Sequence, residues 1–296
     1  MDSFGRQVED ANTEMNGQYI KRYSGHEYII GKCPEFFSVH GHFITGIGQF
    51  VISPIAKGNF LFTIIKKGGK EMLRLENVSK SYGKKQVLQD VSYSFEKGKI
   101  VSVLSPNGTG KTTLLGIVGG FILPDCGKVI GDDKGVNVVL AGEKNLYPKN
   151  TVIENIMFFS ALRGGQKEKI KKRLEDYQKY LLEFSAWRNC PVEELSYGQK
   201  RIVSILSAMV TNASFILLDE AAEGLDLNYI QILKKILMQG KKEKGFLIVS
   251  QDCDFLTEIS DEIIFLNQGK LEVIAEKNSS AQLKKWYRKQ CEGREK

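Results

Sequence analysis

Two hydrophobic patterns run along the chain, and the change between them falls near residue 70. Residues 17 to about 66 carry short runs, QYIKRY, EYIIGK, FFSVH, FITGIGQFVI and NFLFTIIK, rich in aromatic and β-branched residues and broken by Gly, Pro and Asn. They predict short strands. KKGGK (66–70) reads as a linker. From residue 72 the runs change character. MLRLENV and QVLQDVSYSF predict paired strands, KIVSVLS (99–105) a buried strand before a Gly-bearing turn, and TTLLGIVGGFI a helix. QKEKIKKRLEDYQKYLLEFSAW predicts a second helical stretch, with Ile170, Leu174, Tyr177 and Leu181 at helical spacing. KRIVSILSAMVTN predicts a third helix. SFILLDE and GFLIVSQ are continuous apolar runs of the kind that parallel strands covered on both faces require. Strands alternating with helices predict an α/β domain.

The expected organisation is a flexible N-terminus (1–16), a small mainly-β N-terminal domain (17–70), a larger α/β domain (71–275) and a basic C-terminal tail or helix (276–296). At 296 residues the chain is long enough for two cores. Its 42% hydrophobic and 26% charged residues are those of an ordinary soluble protein. The longest apolar stretch, 43–56, is interrupted by Gly46, Gly48 and Pro54 and is too short to span a bilayer. The polar, acidic start does not read as a secretory signal. Five dispersed cysteines argue against a disulfide framework and for a reducing, cytoplasmic setting. The net charge of +7 permits nucleic acid, an anionic membrane or nucleotide phosphate as partner, and by itself indicates no more than solubility.

SPNGTGKTT (105–113) carries the first chemistry. A strand, a Gly-bearing loop and a Lys-Thr pair opening a helix make a phosphate cradle of backbone N–H groups. Lys111 reaches the β and γ phosphates and Thr112 ligates Mg²⁺ in this motif. Ser105 stands where the strict pattern has Gly, while Gly108 and Gly110 keep the permissive backbone. The candidate nucleotide set is Ser105, Asn107, Gly108, Thr109, Gly110, Lys111, Thr112 and Thr113. SFILLDE (214–220) places Asp219 and Glu220 at a strand's carboxyl end. Asp219 is the second candidate Mg²⁺ residue, and Glu220 the candidate for orienting or deprotonating a water.

With LSYGQKR (195–201) added, the chain resembles the ATP-binding subunit of ABC transporters, whose signature is LSGGQ; Tyr197 takes the place of its first Gly. The resemblance covers about 72–275. It implies the P-loop NTPase fold of the ABC ATPase type with a helical subdomain. Tyr82 looks like the adenine-stacking aromatic, and EGLD (223–226) like the loop after the catalytic Glu. Ser196, Gly198 and Gln199 would contact the phosphate of an ATP held by an opposite subunit, from a helix whose N-terminus Ser196 and Gln199 cap as a box. Two chains would then sandwich two ATPs, as a homodimer or with a related subunit. ATP and Mg²⁺ are the implied cofactors, a separate integral-membrane permease the implied partner, and no nucleic acid is expected. The protein would sit peripherally on the cytoplasmic face of the membrane.

Two departures stand out. The family's Gln before LYP is absent, with Gly142 or Glu143 at its place. Thr151 and Glu154 nonetheless form a capping box for a helix in the neighbourhood that faces the permease in the family. Gln251 replaces the His that contacts the γ-phosphate. It can still donate a hydrogen bond, but it has no charge and no acid–base role. The catalytic set is therefore Glu220, Lys111 and Gln251, with hydrolysis expected at a reduced rate. Export is slightly preferred over import, and the cargo is open. Alternatives are an ATP-binding switch or regulatory or immunity subunit with weak hydrolysis, and a non-transport ABC ATPase. His26, His40, His42 and Cys33 permit a metal site, although plain β structure is the main reading there. The tail, with Leu283, Trp286 and Tyr287 among basic residues, is expected to pack on its own domain more readily than on a membrane.

Overall fold

The computed structural model describes residues 72–131, 135–142, 146–162, 165–181, 183–274 and 279–292, with six strands between residues 13 and 65. These strands are β1 (Thr13–Met15), β2 (Gln18–Tyr23), β3 (His26–Lys32), β4 (His42–Thr45), β5 (Gly48–Ile55) and β6 (Asn59–Ile65). They pair antiparallel in the order β1-β2-β3-β6-β5-β4. The run FITGIGQFVI is two strands and not one, since β4 pairs with β5 with Thr45 opposite Gly48. The flexible reading of 1–12, the FFSVH strand, the 66–70 linker, Glu143 and the side chains of Cys33 and the three histidines lie outside the described residues.

From residue 72 the elements are β7 (Met72–Tyr82), β8 (Lys85–Glu96), β9 (Ile100–Leu104), α1 (Lys111–Val118), β10 (Cys126–Ile130), β11 (Val136–Val139), α2 (Val152–Leu162), α3 (Lys167–Gln178), α4 (Phe184–Trp187), α5 (Tyr197–Met209), β12 (Phe215–Asp219), α6 (Leu227–Gly240), β13 (Gly245–Ser250), α7 (Cys253–Ile259), β14 (Glu262–Asn267), β15 (Lys270–Val273) and α8 (Ser280–Glu292). The main sheet has the order β11-β12-β13-β9-β14-β15, parallel except for β15. A second, antiparallel sheet, β10-β7-β8, lies over it.

The continuous apolar strands follow from burial on both faces. Along β12, Ile216 and Leu218 enter a core with α2, α3, α5, α6 and α7, while Phe215 and Leu217 enter another with α1, β7 and β8. Successive strand side chains point to opposite faces, so both sets must be apolar. The helical stretch expected over TTLLGIVGGFI ends at Val118, because Gly119 and Gly120 follow and Gly120 takes φ 78°. The second helical stretch is two helices, α3 and α4, separated by a turn that buries Leu181. Helix α8 buries Leu283 and sets Trp286 edge-on to Phe265 at 4.9 Å. No helix among the described residues is long and apolar enough to cross a membrane.

Candidate functional site

Parallel strands end together at one edge of their sheet, where open α/β folds place their ligands. Leu104 pairs with Ser250, Val249 with Asp219, and Leu218 with Val139. The P-loop after β9, Gln251 after β13, Asp219 and Glu220 at β12, and Leu140 to Gly142 after β11 therefore share this edge.

In the loop, Gly108 has φ 74° and Gly110 φ 110°. Ser105 replaces Gly without a positive φ, and its hydroxyl donates to the Leu266 carbonyl at 2.9 Å. Its Oγ also bonds Thr109. No side chain caps α1, so its first-turn amides stay available for an anion. Lys111 is almost wholly buried. Its ammonium donates to Ser105 O and Asn107 Oδ1, both at 3.1 Å, and lies 3.7 Å from Glu220 Oε1. A buried ammonium with two neutral acceptors and one loose carboxylate is suited to a further anion. Thr112 is exposed and Thr113 half-buried in the same turn.

Asp219 is mostly buried and accepts from the Ala141 amide. Burial, and then the Glu220 carboxylate, push its carboxyl above the usual range, against the pull of Lys111 and Arg201. A desolvated carboxylate beside a second one fits a Mg²⁺ ion, which would lower the cost of its charge. Glu220 has φ 45° and donates its amide to Val249 O at 2.8 Å. Gln251 Nε2 donates to Asn107 Oδ1 at 2.6 Å, so Asn107 receives both Gln251 and Lys111. Asn107, Glu220, Glu223, Ser250, Gln251 and Asp252 line a cleft of 340 Å³.

The structure thus brings Lys111, Asn107, Glu220 and Gln251 together. Ser196, Gly198 and Gln199 stand at the start of α5. Ser196 caps α5, with its Oγ accepting from Gln199 N at 3.3 Å and Gln199 Oε1 accepting from Ser196 N at 2.9 Å. The Tyr229 hydroxyl bonds both side chains. No hydrogen bond or ion pair among the described residues joins these to Lys111 or Glu220. Tyr82 is 51% exposed, with the Lys80 ammonium 5.6 Å from its ring centroid. Gly142 has φ 85° and an open surface, so it offers no side chain for the family's missing Gln.

Sequence reasoning missed two features. Tyr197 lies beside Gly224: a Cβ there would come within 2.7 Å of the ring. Gly224 also has φ 70°. Gly224→Ala should lower stability by about 1–2 kcal/mol in urea denaturation, with Tyr197→Gly in the same chain recovering the steric part. Equal midpoints for Gly224→Ala and wild type would refute this. The other feature is Arg201, quoted in the motif but given no task. The only signal was a charged residue opening an otherwise apolar helix face.

The P-loop at the carboxyl edge of a parallel sheet, with an acidic pair on a neighbouring strand, defines a nucleotide-binding protein of the P-loop class. Residues 88–223 match the model of the ABC transporter family. A putative ABC transporter ATP-binding protein of Bacillus cereus is 34% identical over 225 residues, 71% of this chain and 39% of that protein. An uncharacterized ABC transporter ATP-binding protein of Methanocaldococcus jannaschii is 31% identical over 202 residues, 68% of this chain and 76% of that protein. The spermidine/putrescine import ATP-binding protein of Mycoplasma capricolum is 30% identical over 215 residues, 69% of this chain and 61% of that protein. A solved ATP-binding subunit of an ABC transporter superposes with a TM-score of 0.64 at 20% identity, over 72% of this chain and 93% of that one. The chain belongs to the ABC transporter ATP-binding protein family. It spans well under half the length of the Bacillus cereus relative.

Proposed function

We propose that this chain hydrolyses ATP to power an ABC transporter, pairing with a second copy or a related subunit and acting on a separate permease at the cytoplasmic face of the membrane. The observation that carries the reading is the Lys111 ammonium, held between Ser105, Asn107 and Glu220 at the mouth of an uncapped helix. Phosphates entering there meet the α1 amides and Lys111 together. Tyr82, exposed at the end of β7, would take the adenine. Thr112 and Asp219 would hold Mg²⁺, which supplies charge neutralisation to the phosphates. Glu220 would orient and deprotonate the attacking water. Ser196, whose Oγ accepts from Gln199 N and so shapes the first turn of α5, would meet a phosphate of the partner's ATP. Closure of the pair would then move the permease through the surface around 142–164, where Tyr147 and Phe158 are partly exposed.

Export is the direction we favour, because the segment at Gly142 departs from the importer pattern; the resemblance to a spermidine/putrescine import protein supports the reverse. Recovery of a permease in a membrane pull-down supports transport, and recovery of ribosomes in its place argues for a soluble switch.

Gln251 favours a second reading, an ATP-gated switch with weak hydrolysis. For a working motor we expect Gln251→His to change phosphate release by less than about threefold and Gln251→Ala to lower it by roughly tenfold, the worth of one hydrogen bond. A silent wild type restored by Gln251→His would make Gln251 a brake.

A further inference from the structure

Arg201 is 3% exposed, yet among the described residues no ion pair joins it to a carboxylate. Burial lowers the pKa of its guanidinium. Its donors go to backbone carbonyls. Nη1 donates to Leu140 O at 2.7 Å, Nη2 to Glu220 O at 3.2 Å and to Asp219 O, and Nε to Ala221 O at 3.5 Å. These carbonyls cap the ends of two paired strands, β11 and β12. Strand ends leave carbonyls without ladder partners, and a planar five-donor fork can satisfy several of them at once.

The position of this fork is informative. It stands on α5, five residues after Ser196, so about 7 Å of helix separates the two. The Glu220 carbonyl belongs to a residue at φ 45°, a conformation that a non-Gly side chain keeps only when its surroundings hold it. Three bonds do so: Glu220 N to Val249 O at 2.8 Å, and Glu220 O from Glu223 N at 3.1 Å and from Arg201 Nη2 at 3.2 Å. The first ties Glu220 to the sheet, the second closes the local turn, and the third alone ties it to the signature helix. Tyr197, Lys200, Arg201, Ser204 and Gly142 meet in one narrow crevice, so the same helix turn also touches the segment after β11.

We propose that Arg201 is a positioning residue that fixes the Asp219–Glu220 turn to the signature helix, so that the segment meeting the partner's nucleotide and the segment acting on the chain's own nucleotide move as one body. The inference rests on the functional reading above. It makes occupancy of one site felt at the other through a rigid element with a defined staple. Lysine cannot replace this fork, because one ammonium does not span carbonyls on two strands.

The test uses the full chain with Arg201→Lys and Arg201→Gln. ATP binding, followed with a fluorescent analogue, should stay within about threefold of wild type, because Lys111 and the loop are untouched. Turnover number should fall by about 100-fold, as expected of a misplaced catalytic group, and the Hill coefficient for ATP should drop toward one. A lowered melting temperature with turnover per folded molecule and Hill coefficient unchanged would make Arg201 merely structural and overturn the proposal. Hydrogen exchange of wild type covers the case in which neither variant folds, and it needs no turnover. On adding a non-hydrolysable ATP analogue, amides of 197–204 and 220–222 should slow together. Slowing confined to 220–222 overturns the inference while leaving the nucleotide reading intact. Failure of wild type to bind the analogue sinks the functional reading, and this inference with it.

Discussion

Glu220→Gln should stop ATP turnover while leaving ATP bound. The substitution keeps the shape of the side chain and the whole backbone arrangement, including the amide bond to Val249 and the carbonyl bonds from Arg201. What it removes is, among the described residues, the one carboxylate in the cleft that pairs with Lys111, at 3.7 Å. If Glu220 takes the proton of the attacking water, the turnover number should fall by about 10³-fold, or roughly 4 kcal/mol of barrier. Affinity should move the other way. On the proposed reading the Glu220 carboxylate would lie beside the terminal phosphate, and neutralising it would remove a like-charge repulsion. Lys111 also loses a competing anion. The variant should therefore bind ATP more tightly than wild type and hold the closed pair long enough to be seen as a dimer in size exclusion with ATP. Phosphate release within tenfold of wild type would remove Glu220 from the chemistry and leave Gln251 and Asn107 as the groups nearest the water.

How much of this was legible in the sequence depends on what each residue answers to. The parallel strands were legible because burial on both faces leaves few places for polar residues, and β12 and β13 are apolar up to their last residues, Asp219 and Ser250. The P-loop was legible because its constraints are local: a strand end, two glycines at positive φ, and a lysine opening a helix. Helix ends were less so. Gly119 and Gly120 stop α1, but the apolar Phe121 and Ile122 beyond them continue the pattern and hide the stop. The turn between α3 and α4 contains no Gly or Pro at all. Its position is set by Leu181 finding the core, which no local signal announces. The roles of Arg201 and Gly224 were least legible, because their partners are backbone carbonyls and an aromatic ring far away in sequence. Gln251 lies between these cases. Its identity marked a departure, but only the fold shows that its amide rests on Asn107, the same group that holds Lys111.

That shared acceptor sharpens the last prediction. Lys111→Met should lower ATP affinity by about 100-fold, close to 2.7 kcal/mol, measured by titration with a fluorescent nucleotide. The ammonium is the cation placed at the mouth of α1, and its removal leaves Glu220 facing the phosphates alone, so attraction is replaced by repulsion. The folded chain should not suffer in proportion. Lys111 spends its buried charge on Ser105 O and Asn107 Oδ1, both neutral, and on a carboxylate at 3.7 Å. Replacing a poorly paired buried charge by an apolar chain of similar length is close to neutral for stability. Asn107 keeps Gln251 as its donor, so the loop retains one of its two side-chain ties. The expected signature is therefore a lost ligand with an unchanged melting temperature. Arginine should not rescue binding, since a planar fork is larger than the point charge the loop encloses. An affinity within threefold of wild type would mean that the α1 amides alone hold the phosphates, and Lys111 would then belong to the architecture of the loop and not to the recognition of ATP.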